Sequence, residues 1–179
     1  MGLKGKPNYQ NTLEMKIKFI ALITALIALS ACSASSSTAK KEKTAADFEQ
    51  IASLIDSGSY QFTVRSATPS GGRTIQITTL YSLKARDGQY EAYLPYFGRA
   101  YSGGYGDSGG VEFKGSPEKL EITRKDNKNL ISVKFTIKSE REQYTVNLEV
   151  GASGYGSLVI SSQNRRTISY SGLAAELVD

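Results

Sequence analysis

The chain has no histidine, no tryptophan and a single cysteine among its 179 residues. Without histidine it lacks the usual general base, the Ser-His-acid triad and the commonest zinc ligand. One cysteine cannot build a disulfide framework or a cysteine-cluster metal site. The apolar run Ile20–Leu29 covers ten residues, about half of what a bilayer-spanning helix needs. What is present is ordinary: 40% hydrophobic and 22% charged residues, which excludes wholesale disorder and a multi-spanning membrane protein. The length suits one domain with an extension.

The N-terminus has an order of its own. Met15 opens MKIKFIALITALIALSAC, with Lys16 and Lys18 ahead of the apolar run and small residues leading to Cys32. Charged start, short apolar stretch and small-residue exit form the pattern of a secretory signal. The sequence Leu29-Ser30-Ala31-Cys32 resembles the bacterial lipobox, in which the cysteine thiol takes lipid and the preceding peptide is removed. The expectation is a signal peptide over residues 1–31, with Met15 as the biological start, and a membrane partner held through lipid on Cys32. A core helix ending in cysteine is the bland alternative. Ser33 follows the cysteine where aspartate would favour inner-membrane retention under the enteric sorting rule, so the outer membrane is the expected destination.

Processing changes the electrostatics. Four lysines and one glutamate precede Cys32, leaving 18 basic against 16 acidic residues, a net +2 instead of +5. A nucleic-acid partner would want a strong basic stripe, and none survives. Ser33–Lys43 (SASSSTAKKEK) is small and polar, the composition of a flexible tether with an r.m.s. reach of roughly 18 Å. Within it Ser37-Thr38-Ala39-Lys40 spells the S-x-x-K of penicillin-recognising enzymes, but neither S-D-N nor K-T-G accompanies it.

From Thr44 to Asp179 the pattern is that of one β-rich domain preceded by a short helix. Thr44-Ala45-Ala46-Asp47 reads as a capped helix start. Phe48, Ile51, Ala52 and Ile55 make one apolar stripe, and Gly58 marks the stop. Period two takes over at Tyr60, Phe62 and Val64. It continues from Ile75 through Leu83 to the Asp87-Gly88 turn, then at Tyr90, Ala92 and Leu94, at Leu120 and Ile122, and from Ile131 to Ile137. The segments Tyr144–Val150, Leu158–Ile160 and Ile168–Tyr170 close the series. About nine strands on short turns predict an antiparallel meander, curled into a sheet or barrel-like domain so that its edges are not left open.

One stretch breaks the alternation. Tyr90–Gly110 (YEAYLPYFGRAYSGGYGDSGG) holds five of the eleven tyrosines and six glycines. With IDSGSYQF near Gly58, SGGRTIQI near Gly71, GGVEF at Gly109–Phe113 and ISYSG at Ile168–Gly172, it resembles the Bacteroidetes envelope lipoprotein family known as domain of unknown function 4251. The resemblance covers roughly Phe48–Gly172, and YLPYFGRAY at Tyr93–Tyr101 is its most distinctive part. It implies a lipid-anchored β-rich domain and no activity.

Tyrosine offers large contact area at low entropic cost. Tyr93, Tyr96, Phe97, Arg99, Tyr101 and Tyr105 are therefore the candidate binding residues, with Arg99 a cation inside an aromatic cluster. The competing structural reading packs Leu94, Tyr96 and Phe97 beneath a wide loop, while Arg99 caps carbonyls or pairs with an acid. Gly104–Gly109 matches G-x-G-x-x-G but has no strand-helix context for a dinucleotide. Asp107 and Glu112 lack the calcium-loop pattern. Arg124, Lys125, Arg165 and Arg166 lie near turns and read as solvated charge. No cofactor, metal or catalytic residue is expected. The leading functional expectation is a non-enzymatic binding or interaction module with a protein or glycan partner. The alternatives are a barrel carrying a small ligand in a tyrosine-ringed cavity, and a hydrolase using paired carboxylates.

Overall fold

The computed structural model describes residues 35–97, 109–140 and 142–177. Lys43–Asp179 forms one compact unit. Helix α1 spans Ser35–Asp56 and so begins nine residues before the start predicted at Thr44. Ala39, Lys40, Lys41, Glu42 and Lys43 are good helix formers, so nothing interrupts the helix ahead of Thr44. Ser35–Lys43 is helical where composition predicted a flexible coil; as helix those nine residues rise about 13 Å. The predicted stop is correct: Gly58 has a φ of 68°, and its N–H donates to the Ile55 carbonyl at 3.1 Å.

Ten strands follow: β1 (Tyr60–Pro69), β2 (Ile75–Gln76), β3 (Ser82–Arg86), β4 (Gln89–Leu94), β5 (Val111–Gly115), β6 (Glu118–Lys125), β7 (Leu130–Lys138), β8 (Gln143–Gly151), β9 (Tyr155–Ser162) and β10 (Ile168–Glu176). Nine pair in the order β5-β4-β3-β1-β10-β9-β8-β7-β6, with β2 against β1. Every described pairing is antiparallel. The sheet is curled into a half-barrel, as the strand count required. Its two edge strands are consecutive in sequence: only Ser116 and Pro117 separate β5 from β6, so one bent stretch supplies both edges.

Alternation fills the inside. Tyr60, Phe62 and Val64 face inward on β1; a bulge between Val64 and Ser66 then turns Ala67 inward, because one extra residue exchanges the two faces. The Asp87-Gly88 turn is a tight hairpin, both residues at positive φ (50° and 74°). The predicted run Ile75–Leu83 does not hold as one strand. The Ile77 N–H donates to the Arg65 carbonyl and the Val64 N–H to the Tyr81 carbonyl. The segment between them leaves the ladder at the bulge and exposes Leu80.

Phe48, Ala52 and Ile55 of α1 are buried in the core at the end where β1 begins and β10 finishes. At the opposite end lie the return from β4 to β5, the β7–β8 turn and the β9–β10 connection. Between the ends the interior is solid with rings. Tyr90 stacks on Phe135 at 4.3 Å, and Phe113 touches Phe135 and Tyr144 at 6.4 and 5.6 Å.

Candidate functional site

The end opposite the helix is organised by a buried ion pair. Glu142 closes the β7–β8 turn: its carbonyl accepts from the Ser139 N–H at 2.9 Å and from the Ser139 hydroxyl at 3.1 Å. Its side-chain Oε1 accepts from the Tyr144 hydroxyl and from Arg165 Nε, each at 2.7 Å. Arg165 stands in the β9–β10 connection, its N–H donating to Ser162 Oγ at 3.1 Å. The two side chains retain only 9% (Arg165) and 4% (Glu142) of their exposure, so the pair belongs to the desolvated class. There the loss of one partner strands a charge.

Arg165 reaches further. Its Nη1 donates to the Gly109 and Gly110 carbonyls at 2.6 and 3.2 Å, and its guanidinium lies 5.1 Å from the centre of the Tyr96 ring. The Tyr96 hydroxyl donates to the Arg166 carbonyl, and the Tyr170 hydroxyl to the Pro95 carbonyl, both at 2.9 Å. Both ends of the tyrosine-glycine stretch are thus tied to the β9–β10 side. Gly110 passes so close to β4 that a Cβ there would collide with the Leu94 carbonyl oxygen. Burial raises the Tyr144 phenol above its ordinary value, and the hydrogen bond to Glu142 adds to this; burial also raises Tyr170. Both therefore serve as neutral donors.

The network is sealed. Among the described residues, the buried Glu142 Oε2 has no hydrogen-bond partner. The gap bounded by Tyr96, Val111, Tyr144, Ile160, Arg165 and Ile168 has no room for a water molecule.

The predicted site residues divide. Tyr96 points into the network and does the packing work that the structural reading gave it. Tyr93 points out, 60% exposed, with its ring 5.7 Å from that of Tyr81. Phe97 is 45% exposed. Arg99, Tyr101, Tyr105 and Cys32 lie outside the described residues. Arg165 pairs with an acid and caps carbonyls; it is buried, which corrects its reading as solvated charge. The sequence hides this because Arg165 meets Glu142 across 23 residues and Gly109 across 56. A usable signal existed: Tyr144 and Tyr170 sit at inward positions near strand ends, and buried hydroxyls need partners. Arg124 is organised too, though exposed. It pairs with Glu49 of α1 and with Asp126 and lies 4.9 Å over the Phe48 ring. Lys125 pairs with Glu149 at 3.6 Å.

The class is therefore a single antiparallel sheet rolled around an aromatic core, plugged by a helix at one end and tied by a buried ion pair at the other. The chain belongs to the family described as domain of unknown function DUF4251, whose model matches residues 42–174. Among solved structures it is similar to a DUF4251 family protein from Bacteroides eggerthii DSM 20697, with a TM-score of 0.56 at 16% identity, covering 74% of this chain and 89% of that one. This likeness carries the fold alone. No curated protein matches.

Proposed function

We propose that the chain is an exported lipoprotein, anchored through Cys32 at the outer membrane, whose β-domain is a non-enzymatic binding module. The ordered signal ending at Cys32 supports the anchor, and Ser33 supports the destination. The observation that carries the binding role is Tyr93, exposed on the outer face of a strand whose end is fixed by the Arg165 network. A large aromatic surface held rigid in water loses little entropy on meeting a partner. Phe97, four residues on, is also exposed. The partner class is protein or glycan.

Two experiments test this reading. Metabolic labelling with palmitate should mark the full chain and leave Cys32→Ala unlabelled; an unlabelled wild-type chain would remove the anchor. Crosslinking in intact cells followed by capture should lose its partners in the Tyr93→Ala, Phe97→Ala double variant. Undiminished recovery would dismiss the aromatic surface as the binding face.

A further inference from the structure

We infer that the β-domain seats itself on an anionic phospholipid surface through the projection between β1 and β3. Leu80 is the inserting side chain, and Arg65 and Arg73 meet the headgroups. The inference rests on the anchor proposed above, which keeps a bilayer within reach, and draws nothing from the aromatic surface around Tyr93. The projection follows from the bulge in β1. Strand β2 pairs with β1 alone, at Ser66 with Gln76 and Ala67 with Ile75. The Ile77 N–H bond to the Arg65 carbonyl and the Val64 N–H bond to the Tyr81 carbonyl, both 2.9 Å, close the base of a loop. Thr78, Thr79 and Leu80 form that loop outside any strand, all three exposed. Leu80 is 88% exposed, so its side chain contributes almost nothing to the core.

Charge selects the occupant. From Cys32 onward the chain has 18 basic and 16 acidic residues; residues 57–86 hold four of the basic and none of the acidic ones. The rest of that span is net −2, so positive charge is concentrated on the segment that throws out its leucine. Lys84 and Arg86 have acids for neighbours, Glu91 across the ladder and Asp87 in the turn. Arg65 and Arg73 belong to the projection itself. Arg65 is exposed in the bulge at its base, and Arg73 is exposed in the β1–β2 turn. Ile75, on the strand after that turn, is 36% exposed. An anionic membrane gains roughly fivefold in affinity for each cation brought to its surface, and an aliphatic group entering the acyl boundary adds burial. A lipid surface asks for cations beside an apolar group and for no shaped pocket. Because a tether makes the contact intramolecular, a weak one suffices.

The chain has no tryptophan, so Leu80→Trp supplies a single indole that reports on the loop. The full chain carrying it is reconstituted into vesicles of phosphatidylcholine, alone or mixed with phosphatidylglycerol, and quenched with brominated acyl chains. In the mixed vesicles the indole emission should shift to the blue and be quenched; in phosphatidylcholine alone both effects should be weak. Adding Arg65→Ala and Arg73→Ala should lower the ratio of docked to free domain by roughly fivefold per arginine. Leu120→Trp, on β6 and five strands from β1 in the sheet, should stay unquenched. Retained thermal midpoints would show that the variants are folded. No quenching at position 80, equal quenching at 80 and 120, or quenching indifferent to both anionic lipid and the arginines overturns the inference. So does loss of crosslinked partners in Leu80→Asp without any quenching by lipid, which would give the projection to a protein. Palmitate labelling reads the anchor separately. A labelled chain without quenching keeps the anchor and loses the docking surface, whereas an unlabelled chain that is still quenched at position 80 keeps the surface without the anchor.

Discussion

The two ends of the curled sheet solve the same problem with different chemistry. At one end α1 buries Phe48, Ala52 and Ile55, and its ion pair, Arg124 with Glu49, stays in water with side chains 38% and 63% exposed. At the other end an ion pair is itself the plug: Arg165 and Glu142 are desolvated and surrounded by Tyr96, Tyr144 and loop carbonyls. An apolar plug tolerates imperfect neighbours because its attraction is non-directional. A buried charge pair is less forgiving, because removing either partner strands a charge away from water. Geometric control therefore resides at the tyrosine-glycine end, beside the outward aromatic surface.

Substitutions break this comparison in graded steps. Arg165→Ala strands the Glu142 carboxylate and frees the Gly109 and Gly110 carbonyls. It should cost about 3–5 kcal/mol, lower the thermal midpoint by roughly 12–20 °C, and remove amide protection from Val111–Phe113 first. Phe48→Ala should cost about 3 kcal/mol through the cavity it leaves, while amides near Tyr96 and Gly110 keep their relative protection. Equal losses at both ends in either variant would mean that the ends are not separable.

Tyr144→Phe removes one donor from Glu142 and leaves Arg165 in place. It should cost about 1.5 kcal/mol by urea unfolding, and a neutral result would show that Oε1 does not need the phenol. Arg124→Ala should have the smallest effect, vanishing in 1 M salt where the screening length is about 3 Å. Arg124 holds the Glu49 carboxyl below its ordinary value, chiefly through their hydrogen bond. A depressed carboxylate adds stability above its unfolded value and loses it as pH falls through its folded value. The difference between wild type and Arg124→Ala should therefore fade on acidification through the carboxylate range; a difference that persists in acid would assign Arg124 a packing role over Phe48.

Local chemistry was legible in the sequence wherever the interaction is between near neighbours. The Asp87-Gly88 turn, the Gly58 stop and the inward rows of β7 and β8 follow from residue type and period two. The Thr44 helix start failed because a capping residue marks a start only when the residues before it resist helix, and Ala39–Lys43 do not. The unbroken strand from Ile75 to Leu83 failed because the β1 bulge opposite it is set by pairing, not by its own alternation. In the site, the exposed aromatic Tyr93 followed from its outward position on β4. Arg165 did not, since its partners come from the β7–β8 turn and from the approach to β5, and only the rolled sheet brings those segments together.

The central structural claim is that Arg165 and Glu142 act as one unit in fixing the tyrosine-glycine end. A double-mutant cycle of Arg165→Met and Glu142→Gln, followed by urea unfolding, measures that unity directly. The double variant should be more stable than the sum of the single losses implies, by at least about 1.5 kcal/mol. Losses that add to within about 0.5 kcal/mol would contradict it.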